Sequence, residues 1–388
     1  MENEIIIAGI GQTSVGEHWE ISLRELGFYA MDAAMQDAGG IRPQALFVGN
    51  MLAPNLSNQA HLGALLADFA GLTGIEAALV EAAGASGGAA LRQGYLAVKS
   101  GMVDAALVVG VEKFTDTIGP DTEAALATAS DSDFEATQGL TPTAQAALLM
   151  RRYMHEFDVP ADGLAGFPLL AHANGTGNPN AMFQKAIKAE AYQKAEMVCD
   201  PINLFDMAPH ADGAAAVLLT RCDRLPIDYP YPLIRIAASA QATDTLALHD
   251  RSDPLFLEAV QISTGKALKQ AGISVDQVNF FEYHDSYSIY AALSLEAAGF
   301  APRGKGWELA RDGALSLTGR LPCATLGGLK ARGNPGGATG VYQTVEAALQ
   351  LRGLAGRNQV REFRFGMIQS LGGPASTAVT HILERLQS

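Results

Sequence analysis

The sequence predicts an α/β protein of two like halves, stacked with helices between their sheets, and three observations predict it. Short apolar strands alternate with longer Ala-rich helical stretches along the chain, the pattern of crossover units rather than of hairpins. The order strand, helix, Ala-Gly turn, strand occurs near the N-terminus and again from residue 233. A Gly-rich turn opening an Ala-rich helix also recurs, as Gly84-Ala-Ser-Gly87-Gly88-Ala89 and as Gly333-Asn-Pro-Gly336-Gly337-Ala338. Matched motifs in the same order outweigh a chance likeness of Gly/Ala-rich segments.

In the first half, a strand at 5–10 leads to a helix at about 22–38. Ala38-Gly39-Gly40-Ile41 ends that helix, because Gly adopts the left-handed backbone of a helix C-terminus. A strand follows at 45–49, and the strand Ala77-Ala78-Leu79-Val80 runs into the Gly84 turn. The turn opens a helix at about 87–100, and a strand at 105–110 comes next. In the second half, strands at 233–238 and 278–282 flank a helix at about 255–271 that ends in Ala271-Gly272-Ile273. The second Gly-rich turn then opens a helix at about 336–352, followed by strands at 363–368 and 378–383.

The stretch from about 115 to 200 differs in texture. It holds the polar run Ala127-Thr-Ala-Ser-Asp-Ser-Asp133, a helix at 142–156 and His172-Ala-Asn-Gly-Thr-Gly-Asn178-Pro179, and a strand at 214–219 closes it. Long excursions of this kind often cover a site. We expect an N-terminal half over 1–225, containing the excursion at 115–200, and a C-terminal half over 226–388.

Composition narrows the function. With 48% hydrophobic and 18% charged residues the chain is globular and long enough for two cores. A net charge of −14 argues against nucleic acid or anionic membrane as the main partner. An anionic ligand would need a local basic patch or helix N-termini. No apolar run approaches the ~20 residues of a membrane span, and the N-terminus enters a strand with no basic leader, so a cytoplasmic protein is expected. Cys199, Cys222 and Cys323 are too scattered for a disulfide framework or zinc site. No phosphate-binding Walker loop or dinucleotide fingerprint is present, so neither a metal nor a resident cofactor is expected.

A strand-to-helix elbow such as the one at Gly84 aims one side chain and a fan of backbone N–H groups into a cleft. If the two elbows face each other, their N–H groups can stabilise an enolate or a thioester oxyanion. Glu282-Tyr283-His284-Asp285-Ser286-Tyr287 stands at the C-terminal end of a strand, where ligand sites of α/β sheets gather. By sequence, His284 is the one histidine of eight so placed, able to donate to a carbonyl or take a proton. Tyr287 offers a second donor, but as a base it needs its pKa of ~10 lowered. Pro209-His210-Ala211-Asp212-Gly213 is a tight turn feeding a buried strand, with Asp212 expected to tie it. Arg151, Arg152, Lys185 and Lys188 are candidate phosphate contacts, with a solvated face the equal alternative.

Over essentially its whole length the sequence resembles the thiolase superfamily, in particular its sterol-carrier-protein-type and archaeal acetyl-CoA acetyltransferase branch. The segments carrying the resemblance are Glu81-Ala-Ala-Gly84-Ala-Ser-Gly-Gly-Ala, Val109-Gly-Val-Glu-Lys113, His172 through Pro179 and Pro209-His-Ala-Asp-Gly-Ala-Ala215. They continue with Tyr283-His-Asp-Ser-Tyr287, Gly327-Gly-Leu-Lys-Ala-Arg-Gly333-Asn-Pro-Gly-Gly-Ala-Thr-Gly340 and Leu371-Gly-Gly373. The resemblance implies a thiolase fold, with duplicated halves layered helix, sheet, helix, sheet, helix and an inserted loop domain. It also implies acyl-CoA as ligand or substrate and a homodimer or dimer of dimers. A small OB-fold, zinc-ribbon partner and association with HMG-CoA synthase are implied as well.

In that family a cysteine becomes acylated, a histidine in a Gly-His-Pro turn activates it, a strand-end donor helps form the oxyanion hole, and a further residue shuttles protons. Carried over by position, the nucleophile site is Gly84, the activating site Asn334, the strand-end donor His284, the shuttle position Ser370 and the backbone oxyanion position Gly373. Only His284 keeps a reactive side chain of the expected kind. Without a thiolate there is no acyl-enzyme; Ser86 is expected to point elsewhere, and Cys323 to be a buried structural residue. The resemblance therefore leaves an acyl-CoA protein whose Claisen chemistry is impaired or altered. The alternatives are a 3-hydroxyacyl-CoA retro-aldolase with Tyr287 as base, a non-catalytic CoA-binding scaffold, and an acetyltransferase whose two reactive side chains have been replaced.

Overall fold

A computed structural model describes residues 4–387. Its first half runs β1 (Ile5–Gln12), α1 (Leu23–Asp37), β2 (Ala45–Gly49), α2 (Ala53–Leu56), α3 (Leu62–Phe69), β3 (Glu76–Val80), α4 (Ser86–Lys99) and β4 (Ala105–Glu112). The excursion carries α5 (Pro120–Ala127), α6 (Pro142–Glu156), α7 (Gly166–Gly175), α8 (Ala189–Gln193) and the ribbon of β5 (Met197–Cys199) and β6 (Ile202–Asn203), before β7 (Gly213–Arg221) returns. The second half runs β8 (Ile234–Thr243), α9 (Glu258–Ala271), β9 (Phe280–Glu282), α10 (Ser288–Ala297), α11 (Gly306–Arg311), α12 (Thr339–Arg352), β10 (Phe365–Gly372) and β11 (Thr377–Arg385). Local chemistry sets the ends: Ser22 and Glu25 form a capping box on α1, and Gly272 and Gly353 close α9 and α12 in the left-handed conformation.

Strand order records the duplication. The strands lie in the order β3-β2-β4-β7-β1-β8-β11-β10-β9, so β9, β10, β11 and β8 repeat β2, β4, β7 and β1 as mirror-ordered neighbours. Directions agree too: β2–β4 and β9–β10 are parallel, while β4–β7 and β10–β11 are antiparallel. The counterpart of β3 has shrunk to one parallel bridge, Phe281 to Cys323. At the seam the two halves touch through a single pairing, Ile6 with Arg235.

Alternation along the strands places three large cores: one on the outer face of each half, and one around the central helix layer between the halves. Leu107, Val109, Ala216 and Leu218 face α1 and α3. Their chain neighbours Val108 and Val217 face α4 and α12, which also receive Ile236, Ile368 and Leu383 from the second half. On the far side Ala238, Met367 and Ile382 pack on α9 and α10. As the central layer requires, every residue of α12 except Leu349 is buried.

The two elbows do face each other, in a register different from the one the glycines suggest. Each begins with a left-handed residue, Ala83 (φ 49°) in the first and Gly336 (φ 47°) in the second. A 3₁₀ turn (Ala83–Ala85 and Gly336–Ala338) and then α4 or α12 follow. The counterpart of Gly84 is therefore Gly337, not Gly333. Gly333 (φ 105°) instead leaves a π-helical turn at Gly328–Arg332, a separate device that sequence matching cannot tell from the elbow. In the corrected register Gly87 matches Gly340, and the helices cross there. A β-carbon on Gly340 would stand 2.2 Å from Gly88 N, and one on Gly87 2.8 Å from Gly337 O.

Candidate active site

Where the elbows meet, Gly84, His210, His284, Tyr287, Asn334 and Gly373 line one cavity of about 80 Å³. The excursion closes it with Leu126, Ala129, Ser130, Pro142 and Gln145, as its length led us to expect.

Gly84 supplies bare backbone to this cavity. A β-carbon there would stand 3.3 Å from Cε1 and 3.5 Å from Nε2 of His284. His284 follows β9 and is buried. Burial, and then the charge of Arg332, push its pKa down to about 3, so the imidazole is neutral. Among the described residues its Nδ1 has no hydrogen-bond partner. Arg332 is itself held by a buried pair with Glu346 at 2.7 Å.

Asn334 is buried at the cavity wall, and its Oδ1 accepts from Thr339 Oγ1 at 3.2 Å, which makes the NH₂ end the donor toward a ligand. Its backbone N donates to Pro209 O (2.9 Å) and its O accepts from Ala211 N (3.2 Å), seating His210 beside it. Sequence gave no hint of that bridge, so His284 is not the only histidine here. The His210 ring stacks on Phe114 with centroids 4.9 Å apart. Its Nδ1 is buried with no partner among the described residues, and burial pushes its pKa down to about 4.

Three expectations need correction. Ser370 does not reach the cavity: on β10 the alternate residue Leu371 faces it, so Ser370 points into the helix layer and donates to Gln343 Oε1 at 2.9 Å. Tyr287 is no base, because burial raises its pKa to about 12 and its hydroxyl is bonded to Thr143 Oγ1 at 2.8 Å. The four candidate phosphate contacts do not converge on one place. Arg151 pairs with Asp200 and Arg152 with Glu156, all in exposed positions, and Lys188 is an exposed residue ahead of α8. Lys185 alone borders a pocket, the neighbouring one described below.

Other expectations match the geometry. Asp212 ties its turn by accepting from His18 N, Phe114 N, Thr115 N and Thr115 Oγ1, with Lys113 Nζ at 3.3 Å. Ser86 Oγ turns back to Ala83 O at 2.6 Å. Cys323 is buried, and burial raises its thiol pKa well above the ordinary value, so it is inert. Glu112 accepts from Met51 N, Leu52 N and Gly337 N, clamping the second elbow to the end of β4.

Two family models span nearly the whole chain: Thiolase, N-terminal domain, over residues 5–223, and Thiolase C-terminal domain-like, over residues 240–385. The chain belongs to the thiolase family. Among proteins similar to this thiolase-family chain is the acetyl-CoA acetyltransferase of Methanothermobacter thermautotrophicus, 41% identical over 98% of this chain and 100% of that one. A steroid side-chain-cleaving aldolase of Thermomonospora curvata is 27% identical over 87% of this chain and 88% of its own length. Of the solved structures, a chain of the Ltp2-ChsH2(DUF35) aldolase superposes with a TM-score of 0.84 at 22% identity, covering 100% of this chain and 99% of that one. It shares the fold.

A second pocket of about 400 Å³ adjoins the thiolase cavity, lined by His172, Phe183, Lys185, Phe205, Met207 and Lys330 among others. The two are linked through Pro209, which precedes His210, and through a bridge from Met207 to Tyr287. Its walls are largely apolar, while Lys330 Nζ is held at Asp206 O, 2.5 Å away.

Proposed function

We propose that this thiolase-family chain binds an acyl-CoA thioester and makes or breaks the carbon–carbon bond beside it through an enolate, without an acyl-enzyme. In the breaking direction it is a 3-hydroxyacyl-CoA retro-aldolase. The observation carrying this reading is Gly84, which presents no side chain to the His284 ring at the place where acyl transfer needs a nucleophile. The groups left in the cavity are hydrogen-bond donors: the neutral His284, the Asn334 amide, and the backbone at Gly84 and Gly373. Such donors hold a thioester oxygen as it gains negative charge. The cavity admits the reacting end of a small thioester, and the adjoining apolar pocket suits the remainder of the ligand. Similarity to an aldolase supports this direction of chemistry.

The test pairs two assays of the purified chain. Release of an aldehyde or ketone from a 3-hydroxyacyl-CoA is expected, and CoA-dependent thiolysis of acetoacetyl-CoA is not. Thiolysis by the unmodified chain would overturn the proposal.

A second reading, a non-catalytic CoA-binding subunit, draws on the structural neighbour, the Ltp2-ChsH2(DUF35) aldolase. An OB-fold, zinc-ribbon partner belongs to this reading. Acyl-CoA binding with no turnover, alone or with such a partner, would favour it. We also propose a homodimer through β3, which forms the sheet edge and is largely exposed along its length, since an open edge strand is a template for pairing. Light scattering at the mass of one chain would refute the dimer. Among the described residues no helix is long and apolar enough to cross a membrane, and a cytoplasmic location remains part of the proposal.

A further inference from the structure

We propose that His210 is the proton-transfer residue of this cavity, the group that takes the proton whose loss creates the enolate. The proposal rests on the enolate chemistry above and names its base.

Geometry carries it. Base catalysis needs a nitrogen or carboxylate at the reacting centre that is not already committed. Of the described residues lining the cavity, His210, His284, Tyr287 and Tyr290 have titratable side chains. His284 faces the Gly84 elbow, where the thioester oxygen is to be held. The Tyr287 hydroxyl is bonded to Thr143, and burial raises both tyrosine pKa values. Asn334 has no basic atom, and Ser370 is turned into the helix layer. His210 remains.

Its placement is built rather than incidental. Paired backbone bonds at Pro209 and Ala211 fix it alongside Asn334, and the Phe114 ring stacks on one face. Among the described residues Nδ1 lacks a protein partner, and burial, with no carboxylate acting against it, favours the neutral ring. A neutral ring is the form that accepts a proton, and enolate charge developing beside it raises its basicity as the reaction proceeds.

The steps balance. With a 3-hydroxyacyl-CoA, a His210 ring nitrogen takes the 3-hydroxyl proton. The O–H pair forms the C3 carbonyl, and the C2–C3 pair becomes the enolate whose oxygen His284 holds. The imidazolium then returns the proton to C2. With acetyl-CoA alone, His210 takes a methyl proton, and the reverse step delivers a solvent-exchanged one.

Exchange supplies the test, because it needs no knowledge of the physiological acyl group. Acetyl-CoA is incubated in D₂O with the whole chain, and methyl deuteration is followed by mass spectrometry. The unmodified chain is expected to deuterate acetyl-CoA, and His210→Phe, which keeps a ring against Phe114, to lose about 100-fold or more while still binding acetyl-CoA. His210→Ala is expected to regain exchange when free imidazole is added, which a purely structural role would not produce. If His210→Phe does not fold, His210→Ala with and without imidazole decides instead. Exchange by His210→Phe at the unmodified rate would overturn this role and leave the enolate reading standing. A chain that binds acetyl-CoA but exchanges nothing would overturn both.

Discussion

A β-carbon added at Gly84 would stand 2.7 Å from the carbonyl oxygen of Leu371, well inside the roughly 3.5 Å at which packed atoms sit. The elbow has closed around a residue with no side chain. Restoring a nucleophile by Gly84→Cys must push apart two backbone segments, the elbow and the end of β10. We expect the substitution to cost about 1–3 kcal/mol and, because the elbow must shift to admit the side chain, to give far less thiolysis alone than together with Asn334→His. Denaturant unfolding and acetoacetyl-CoA thiolysis measure the two effects. Thiolysis by Gly84→Cys/Asn334→His alone would mark a cleft that lacks only its two reactive side chains.

Gly340 permits the closest approach in the central layer. An alanine there meets Gly88 N at 2.2 Å and Ser370 Oγ at 2.7 Å. Backbone cannot yield as a flexible side chain does, so Gly340→Ala is expected to cost more than about 3 kcal/mol. Gly265, with open space around it, is the control: Gly265→Ala on α9 is expected to be neutral or slightly stabilising. Equal melting temperatures for the two variants would refute the close crossing.

Asp212 holds together the ends of three segments. Burial works to raise its pKa, but the Thr115 hydroxyl, the His18 and Thr115 amides and the Lys113 charge outweigh it, and the carboxyl titrates below its ordinary value. Asp212→Ala would leave Lys113 and several amides without their shared acceptor, at about 3–5 kcal/mol. The same variant should weaken acyl-CoA binding, because Phe114, which lines the cavity, bonds to Asp212 through its amide.

Buried histidines and buried carboxyls pull the pH dependence of stability in opposite directions. His284, His210 and His381 have folded pKa values of about 3, 4 and 4, below the ~6.5 of an unfolded histidine. Below pH 6.5 the unfolded chain binds more protons, so stability falls as pH drops toward those values, by about 1 kcal/mol per pH unit for each ring. Glu112 and Glu282 act oppositely. Their folded pKa values, raised by burial to about 7 and 8, make the native state the better proton binder above about pH 4.5. Their contribution therefore falls as pH rises until those values are passed. Denaturant midpoints of His381→Phe and the unmodified chain between pH 4 and 8 isolate one ring: the difference between them is expected to change with pH, and a constant difference would show that His381 titrates alike in both states.

Much of the fold was legible. Strands at 45–49 and 105–110 and the helix at 142–156 are where the sequence puts them, because apolar period and capping residues act locally. His284 was legible as a strand-end residue. The elbow register was not: Gly333 and Gly337 are equivalent to the eye, and only backbone torsion separates the π-helical turn from the elbow. Ser370 was misjudged because facing alternates with each strand residue, so an error of one reverses it. His210 was missed because what seats it is a bridge to Asn334, 124 positions away (334 − 210).

The sequence by itself determined the duplicated α/β architecture, the absence of a side chain at position 84 and the presence of an imidazole after β9, since these follow from residue identity and short-range pattern. The tertiary structure decided which side chains share the cavity. It turned Ser370 away, bound the Tyr287 hydroxyl, dispersed the four basic residues and brought His210 to Asn334. The physical reason is that a side chain's direction and protonation depend on which distant segments bury it and which atoms they offer as partners. No local stretch of sequence contains that information.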